Sequence, residues 1–305
     1  MTNASSSSEA CLLCVATEKG LEVVRTATSF PRPFTVCTFE ESAVAESFYE
    51  RITTTAREAG FSVISWKEFR ADPVRFLESR SIGSILCIGW RYLIPPNVVR
   101  ALSGNVTIAH DSLLPKLRGF APLVNAMISG ESETGVTFLR AGDSVDDGEI
   151  LWQGRVAIEP KDTIHNLIQK VLPLYREGAL RYFRGELCKG TPQDDRLATY
   201  SLWRDVDDYR IDWQCDAEVI ERTVRALGHP YLGARTSLQG KTVVIHEAEV
   251  VADLPFVLRQ PGKVWTLDRD GCPIVVCGRG LLRIVSATAE GQSILPLRSM
   301  RVRFG

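Results

Sequence analysis

A chain of 305 residues with 45% hydrophobic content has room for a catalytic domain and a smaller one, because single cores stop growing near ~250–300 residues. Its 36 basic and 37 acidic residues leave a formal charge of −1, which disfavours a protein that grips nucleic acid over a wide surface. No apolar run approaches the ~20 residues that span a bilayer, so no membrane partner is expected.

The polar, Ser-rich start MTNASSSSEA lacks the blocks of a signal peptide. It reads as a disordered tail over residues 1–9, in a cytoplasmic protein. Residues 11–16 (CLLCVA) predict a buried strand, and residues 35–39 (TVCTF) a second. Residues 42–59 have helical spacing and end at Gly60, a helix-stop signal. Residues 61–66 predict a third strand, 72–80 a helix, 84–89 a fourth strand, and Pro95-Pro96 opens a short helix to Leu102. This alternation predicts a parallel sheet with helices on both faces, a Rossmann-like α/β domain over residues 10–184. Its functional groups should gather at the carboxyl ends of the strands.

Residues 104–151 break that rhythm with a polar, turn-rich stretch, which is where a site should be sought. Asp162 or Thr163 then caps a helix to about Phe183. Residues 185–199, with Gly190, Pro192 and Asp194-Asp195, read as a linker. The remainder, 200–305, opens with YSLWRDVDDYRIDW and a helix from about Asp216 to Leu227. Short strands with Gly and Asp-Gly turns follow, predicting a small β-rich, OB-like barrel. A homodimer is compatible with such a chain.

Cys11, Cys14, Cys87 and Cys277 lie in apolar runs and predict buried free thiols. Cys11 and Cys14 form a C-x-x-C, but residues three apart on a strand face opposite sides, and no second ligand pair follows. His165, His229 and His246 sit in ordinary helix, turn and strand contexts. No metal-ligand cluster is evident, so no metal is expected.

The segment 107–151 contains His110, Ser112-Leu113-Leu114-Pro115, Arg118-Gly119, Pro122, Gly130-Glu131, Thr134 to Thr137, and Asp146-x-Gly148-x-Ile150-Leu151. This order resembles the catalytic core of the folate-dependent formyltransferases, the family of methionyl-tRNA formyltransferase and the sugar-nucleotide N-formyltransferases. IGWRYLIP upstream, and DDYRIDW with the β-rich tail downstream, extend the resemblance over most of residues 84–285. It implies 10-formyltetrahydrofolate as co-substrate. It also implies catalytic roles for His110 and Asp146; Asp143 and Asp147 are alternative carboxylates, and the D-x-G spacing selects Asp146. The loop Ser112 to Pro115 and Arg118-Gly119 would shape the cleft. Asp143, Val145, Asp147 and Gly148 would hold the pterin, and Trp90, Tyr92, Leu93 and Ile94 would wall its pocket.

The chemistry agrees with those residue types. Formyl transfer to an amine needs a proton taken from nitrogen, a task suited to a histidine near neutral pKa. A carboxylate beside it would fix its tautomer and stabilise its charged form. The stretch CTFEESAVAESFYERITTTAREAG is more acidic than basic, and the C-terminal arginines are interspersed with carboxylates. A small-molecule primary amine, such as an amino sugar nucleotide or a modified amino acid, is therefore the expected acceptor, and tRNA is not. One position departs from the family pattern. Two residues before the histidine the family carries an asparagine that steadies the formyl oxygen, and here Ile108 stands there. Asn105 and Asn125 are the nearest substitutes in sequence. The departure keeps a second reading open, a repurposed or weakly active homologue that transfers another acyl or one-carbon group, hydrolyses the donor or only binds ligand.

Overall fold

The computed structural model describes residues 9–41 and 46–305 and divides the chain into two units. The first holds the described residues up to Pro122, Glu133–Ala157 and Ile168–Leu202. The second holds Leu123–Ser132, Ile158–Leu167 and Trp203–Gly305.

In chain order the elements are β1 (Ala10–Val15), α1 (Thr17–Ala27), β2 (Phe34–Thr38), α2 (Tyr49–Glu58), β3 (Ser62–Ser65), α3 (Trp66–Ala71), α4 (Pro73–Ser79) and β4 (Ile82–Ile88). There follow α5 (Pro96–Ala101), β5 (Val106–His110), β6 (Arg118–Gly119), α6 (Pro122–Ser129), β7 (Glu133–Arg140), β8 (Ile150–Ala157), α7 (Ile164–Phe183) and β9 (Tyr200–Ser201). The expected helix over 42–59 is found as α2, and residues 42–45 lie outside the described residues. Gly60 at φ +75° ends it, as anticipated. Ser65 caps α3 by accepting from Glu68 N, and Asp72 caps α4 from Arg75 N with Pro73 at the first helical position. Thr163, rather than Asp162, is the residue whose hydroxyl accepts from Asn166 N at the start of α7. The helix α1 was not anticipated, because TEKGLEVVRTA carries neither a capping side chain nor a breaker to mark it.

The first unit is a seven-stranded sheet in the order β3-β2-β1-β4-β5-β7-β8. Five strands are parallel, but β7 runs antiparallel to β5, and β8 antiparallel to β7. The expected all-parallel sheet is thus mixed. One face packs Leu12, Cys14, Cys37 and Cys87 against Phe69, Leu77 and Val98 of the helices α3 to α5. On β7 the ring of Phe138 contacts Tyr175 of α7 and presses on Gly178, where an added Cβ would come within 2.1 Å of it.

The second unit carries α8 (Ala217–Leu227), β10 (Ala234–Leu238), β11 (Lys241–Val251), β12 (Val264–Leu267), β13 (Pro273–Val276), β14 (Leu281–Ala289) and β15 (Gln292–Ser293). The antiparallel order β10-β11-β14-β13-β12 leaves two edges, β10 and β12. The last residues join them: Phe304 bridges Leu238, Arg303 bridges Lys263, and Gly305 exchanges backbone hydrogen bonds with Ser237. The sheet is thereby closed, which removes its exposed edges.

The cysteines follow the sequence expectation. Cys11, Cys14, Cys37, Cys87, Cys272 and Cys277 are free and buried, Cys215 is half-buried and Cys188 is exposed. The C-x-x-C is split as expected. Cys14 lies in register with Cys37 and Cys87, whereas Cys11 approaches the Tyr182 hydroxyl at 3.8 Å. Burial pushes the Cys14 thiol well above its ordinary range and the Cys277 thiol up to about 12. Thiolate is the reactive form, so an aromatic disulfide reagent applied at pH 8 should label Cys188 rapidly and Cys215 slowly. The six buried thiols should react only after denaturation, and mass mapping showing early labelling of Cys14 would contradict this packing.

Candidate active site

His110 is the last residue of β5, at the carboxyl end of the strand, where open α/β sheets bind their ligands. Its neighbour two residues back, Ile108, shares its face of the sheet and packs against the cluster that includes Cys87 and receives Trp90 and Ile94. The imidazole is buried. Its Nε2 lies 2.8 Å from Leu117 O, and its Nδ1 lies 3.4 Å from Asp146 Oδ2.

A carbonyl oxygen can only accept, so Nε2 carries a proton. This corrects the expectation that the carboxylate fixes the tautomer. Leu117 fixes it, and Nδ1 is left as the nitrogen able to take a proton beside Asp146. Leu117 holds φ at +59° to present that carbonyl, a left-handed conformation uncommon for a bulky residue. It is tied there by Thr199, whose hydroxyl accepts from Leu117 N at 2.9 Å.

Of the three candidate carboxylates, Asp146 is the one in contact with His110. Its Oδ2 also accepts from Gly119 N at 2.9 Å. Asp147 instead accepts from Ser144 N and so braces the loop from within, while Asp143 is exposed. Asp146 sits at φ +53°, a conformation that aspartate adopts more readily than most residues. Gly119, at φ +106°, lies so close to Ser201 that a Cβ would come within 2.3 Å of its carbonyl oxygen. Gly148 is likewise pressed against Arg140 O, at 2.0 Å from a built Cβ. Both glycines of the motif therefore answer to close backbone approach.

The Ser112 to Pro115 loop is held internally. Ser112 Oγ donates to Lys116 O at 2.6 Å. Thr137 donates to Ser112 O at 2.6 Å and accepts from Leu114 N at 3.2 Å. Gln153 Nε2 donates to both Leu114 O and Thr137 Oγ1 at 2.9 Å. Leu113 presses on Gly135.

Several contributors were not singled out from the sequence. Asp111, beside His110, pairs with Lys19 and accepts from the Tyr175 hydroxyl at 2.8 Å. Burial, with the Asp111 charge added, pushes the Tyr175 phenol well up, so it stays a donor. Gln193, from the stretch expected to be a linker, receives Arg118 Nε at 3.1 Å and Nη2 at 2.9 Å. It donates to Asp146 O at 2.8 Å and Gly148 O at 2.7 Å. Arg118 also reaches Asp195 at 2.8 Å. Burial works against its charge, yet the Asp195 contact outweighs that and raises the guanidinium above its ordinary range. No local periodicity marks Gln193 or Asp195, since their partners are 47 and 77 residues away.

Near this edge, Trp66 stacks on Tyr92 at 5.2 Å, and Phe39 and Trp90 close an aromatic group. Trp90 Nε1 is buried without a hydrogen-bond partner, an orphaned donor that a ligand acceptor would satisfy. Leu93 is exposed and Ile94 packs inward. Asn105, considered as a stand-in for the missing asparagine, precedes β5 at its opposite end and donates to Gly83 O, so it does not serve. Asn125 belongs to the second unit, where its carbonyl accepts from Arg204. Among the described residues no group of three or more His, Cys, Asp or Glu could hold a metal ion, and no helix is long and apolar enough to cross a membrane.

Two family models match this chain: Formyl transferase over residues 2–181, and Formyl transferase, C-terminal domain, over residues 205–303. The chain belongs to the formyl transferase family, enzymes that move a formyl group from a formylated tetrahydrofolate. A methionyl-tRNA formyltransferase of Nitrosomonas europaea is 34% identical over 63% of this chain and 60% of its own length. The matched part is therefore about three fifths of that relative. Among solved structures, HypX from Aquifex aeolicus in complex with tetrahydrofolic acid aligns with a TM-score of 0.62 and 19% identity, over 94% of this chain and 45% of that one. WlaRD, a sugar 3N-formyl transferase, aligns with a TM-score of 0.65 and 14% identity, over 94% and 99%. At these identities the structural likeness is one of fold. The tRNA-acting relative gives no support to the expectation that tRNA is not an acceptor.

Proposed function

We propose that this chain transfers a formyl group from 10-formyltetrahydrofolate to the primary amine of a small molecule, with His110 as base and Asp146 as its partner. The observation that carries this reading is the contact of His110 Nδ1 with Asp146 Oδ2 at 3.4 Å, with Nε2 committed to Leu117 O. The neutral imidazole keeps one lone pair, on Nδ1 beside the Asp146 carboxylate, and that atom takes the proton shed by the attacking amine. The resulting imidazolium then has an acceptor at each nitrogen, which stabilises the charge where it develops. Bound donor supplies the activated formyl carbon. The Asp146-bearing loop, the aromatic group around Trp90 and the half-buried Ile94 are the surfaces that would hold its ring, and the orphaned Trp90 Nε1 fits such a ligand.

An amino sugar nucleotide or a modified amino acid is the preferred acceptor class, because the chain is nearly neutral and the region around α2 is acidic. A second reading has its own support. Arg298, Arg301 and Arg303 are exposed, and although the Arg303 guanidinium donates to Pro261 O, their charges form a local cationic cluster that a tRNA backbone could meet.

The test is a panel. Purified protein with 10-formyltetrahydrofolate is offered dTDP-3-aminofucose, free amino acids and charged methionyl-tRNA, and N-formyl products are read by mass spectrometry. Product on the small amines and not on tRNA is expected. Formylation of tRNA alone moves the assignment to the second reading. Donor consumption without any amine indicates hydrolysis, and no turnover at all overturns the enzymatic reading.

A further inference from the structure

The amide of Gln193 is fully used. Its oxygen has two lone pairs and receives two guanidinium hydrogens, from Arg118 Nε and Nη2. Its nitrogen has two hydrogens and gives both, to Asp146 O and Gly148 O. The orientation is unambiguous, since a guanidinium only donates and a carbonyl only accepts. The two carbonyls it holds are Asp146's own and that of Gly148, two residues on, so it grips the backbone that presents the Asp146 carboxylate. Asp146 is itself left-handed at φ +53°, a conformation that aspartate tolerates and that these bonds to its own carbonyl and to Gly148 O hold in place. Gly119 N fixes the carboxylate from the other side.

We infer that Gln193 is a positioning residue for the reaction, a clasp that sets the Asp146 carboxylate against His110 without touching substrate. The inference rests on the proposed role of His110. It gives the segment around residue 193 a part in turnover, through a residue 47 positions from the aspartate.

Gln193→Glu is the discriminating variant. It keeps the size and still accepts from Arg118. Its second oxygen, however, would face two carbonyl oxygens that now sit 2.7 and 2.8 Å from a donor nitrogen, and only a protonated carboxyl can bond there. With 10-formyltetrahydrofolate and whichever acceptor the wild type formylates in the panel above, kcat should fall about ten- to hundredfold at pH 8. KM for the donor should change less than kcat does: the Gln193 side chain bonds only the Asp146 and Gly148 carbonyls and Arg118, so its loss reaches the proposed donor surface only through the backbone of that loop. The variant-to-wild-type ratio of kcat should climb as pH is lowered from 8.5 to 5.5. Gln193→Leu should be impaired equally across that range. A merely structural role would give two variants with parallel pH profiles and matching losses of thermal stability, and that result overturns the inference, as does a wild-type kcat for Gln193→Glu throughout. His110→Ala, assayed alongside, separates the failures. An active His110→Ala, or a wild type that formylates nothing in the panel, removes the base and this inference with it. An inactive His110→Ala beside an unimpaired Gln193→Glu overturns the clasp alone.

Discussion

Replacing His110 with alanine lowers formyl transfer by roughly 10²–10⁴-fold, the usual contribution of a positioned proton acceptor, while leaving the affinity for 10-formyltetrahydrofolate within a few fold. The asymmetry follows from the geometry. The imidazole is committed to Leu117 and Asp146, and the surfaces proposed for the donor ring belong to other segments. Steady-state kcat and KM, with donor binding by fluorescence quenching, check both halves. A variant that keeps more than a tenth of wild-type turnover would remove His110 from the mechanism. Asp146→Asn should lose a similar or smaller factor, because the Leu117 carbonyl still holds the tautomer when the carboxylate is gone. An unchanged rate in Asp146→Asn would mean that the nearby carboxylate has no role in the proton transfer.

Ile108→Asn should raise turnover at least tenfold, toward the roughly 10²–10³ that one oxyanion donor contributes. The side chain at this position shares the strand face of His110, so an amide there would be directed to the same side as the base. Asn105, the nearest natural alternative in the sequence, is spent on Gly83 O at the far end of β5. The gain should appear in kcat more than in KM, since the contact strengthens as negative charge develops on the formyl oxygen. A fall in turnover would show instead that the apolar surface of Ile108, continuous with Trp90 and Ile94, is part of the working pocket. Introducing an amide into that half-buried contact also costs stability, about 1–3 kcal/mol if it finds no partner, and a thermal melt keeps that effect separate from the rate.

Much of the first unit could be read along the chain because its signals are local. The apolar runs of β1, β2 and β4, the stop at Gly60 and the helix start at Asp72 depend only on neighbours a few residues away, whereas the short helix α3 capped by Ser65 is masked by the apolar run 61–66. The antiparallel turn of β7 and β8 could not be read that way. Strand direction is set by pairing, and the pairing of Thr137 with His110 joins residues whose order in sequence says nothing of direction.

At the site, the sequence by itself determined the inventory: the residue types His110, Asp146, Arg118 and the glycines at 119 and 148, in a spacing that only a shared fold explains. It also exposed Ile108, since an absent amide is visible in the letters alone. Tertiary structure decided the wiring. It set Asp146, the carboxylate that the D-x-G spacing already selects, against His110, gave the tautomer to Leu117 rather than to the carboxylate, and drew Gln193 into the aspartate's turn. The physical reason is range. Propensity and periodicity act over a few residues, whereas hydrogen bonds between groups 7 and 47 residues apart form only once the sheet has fixed where each backbone runs.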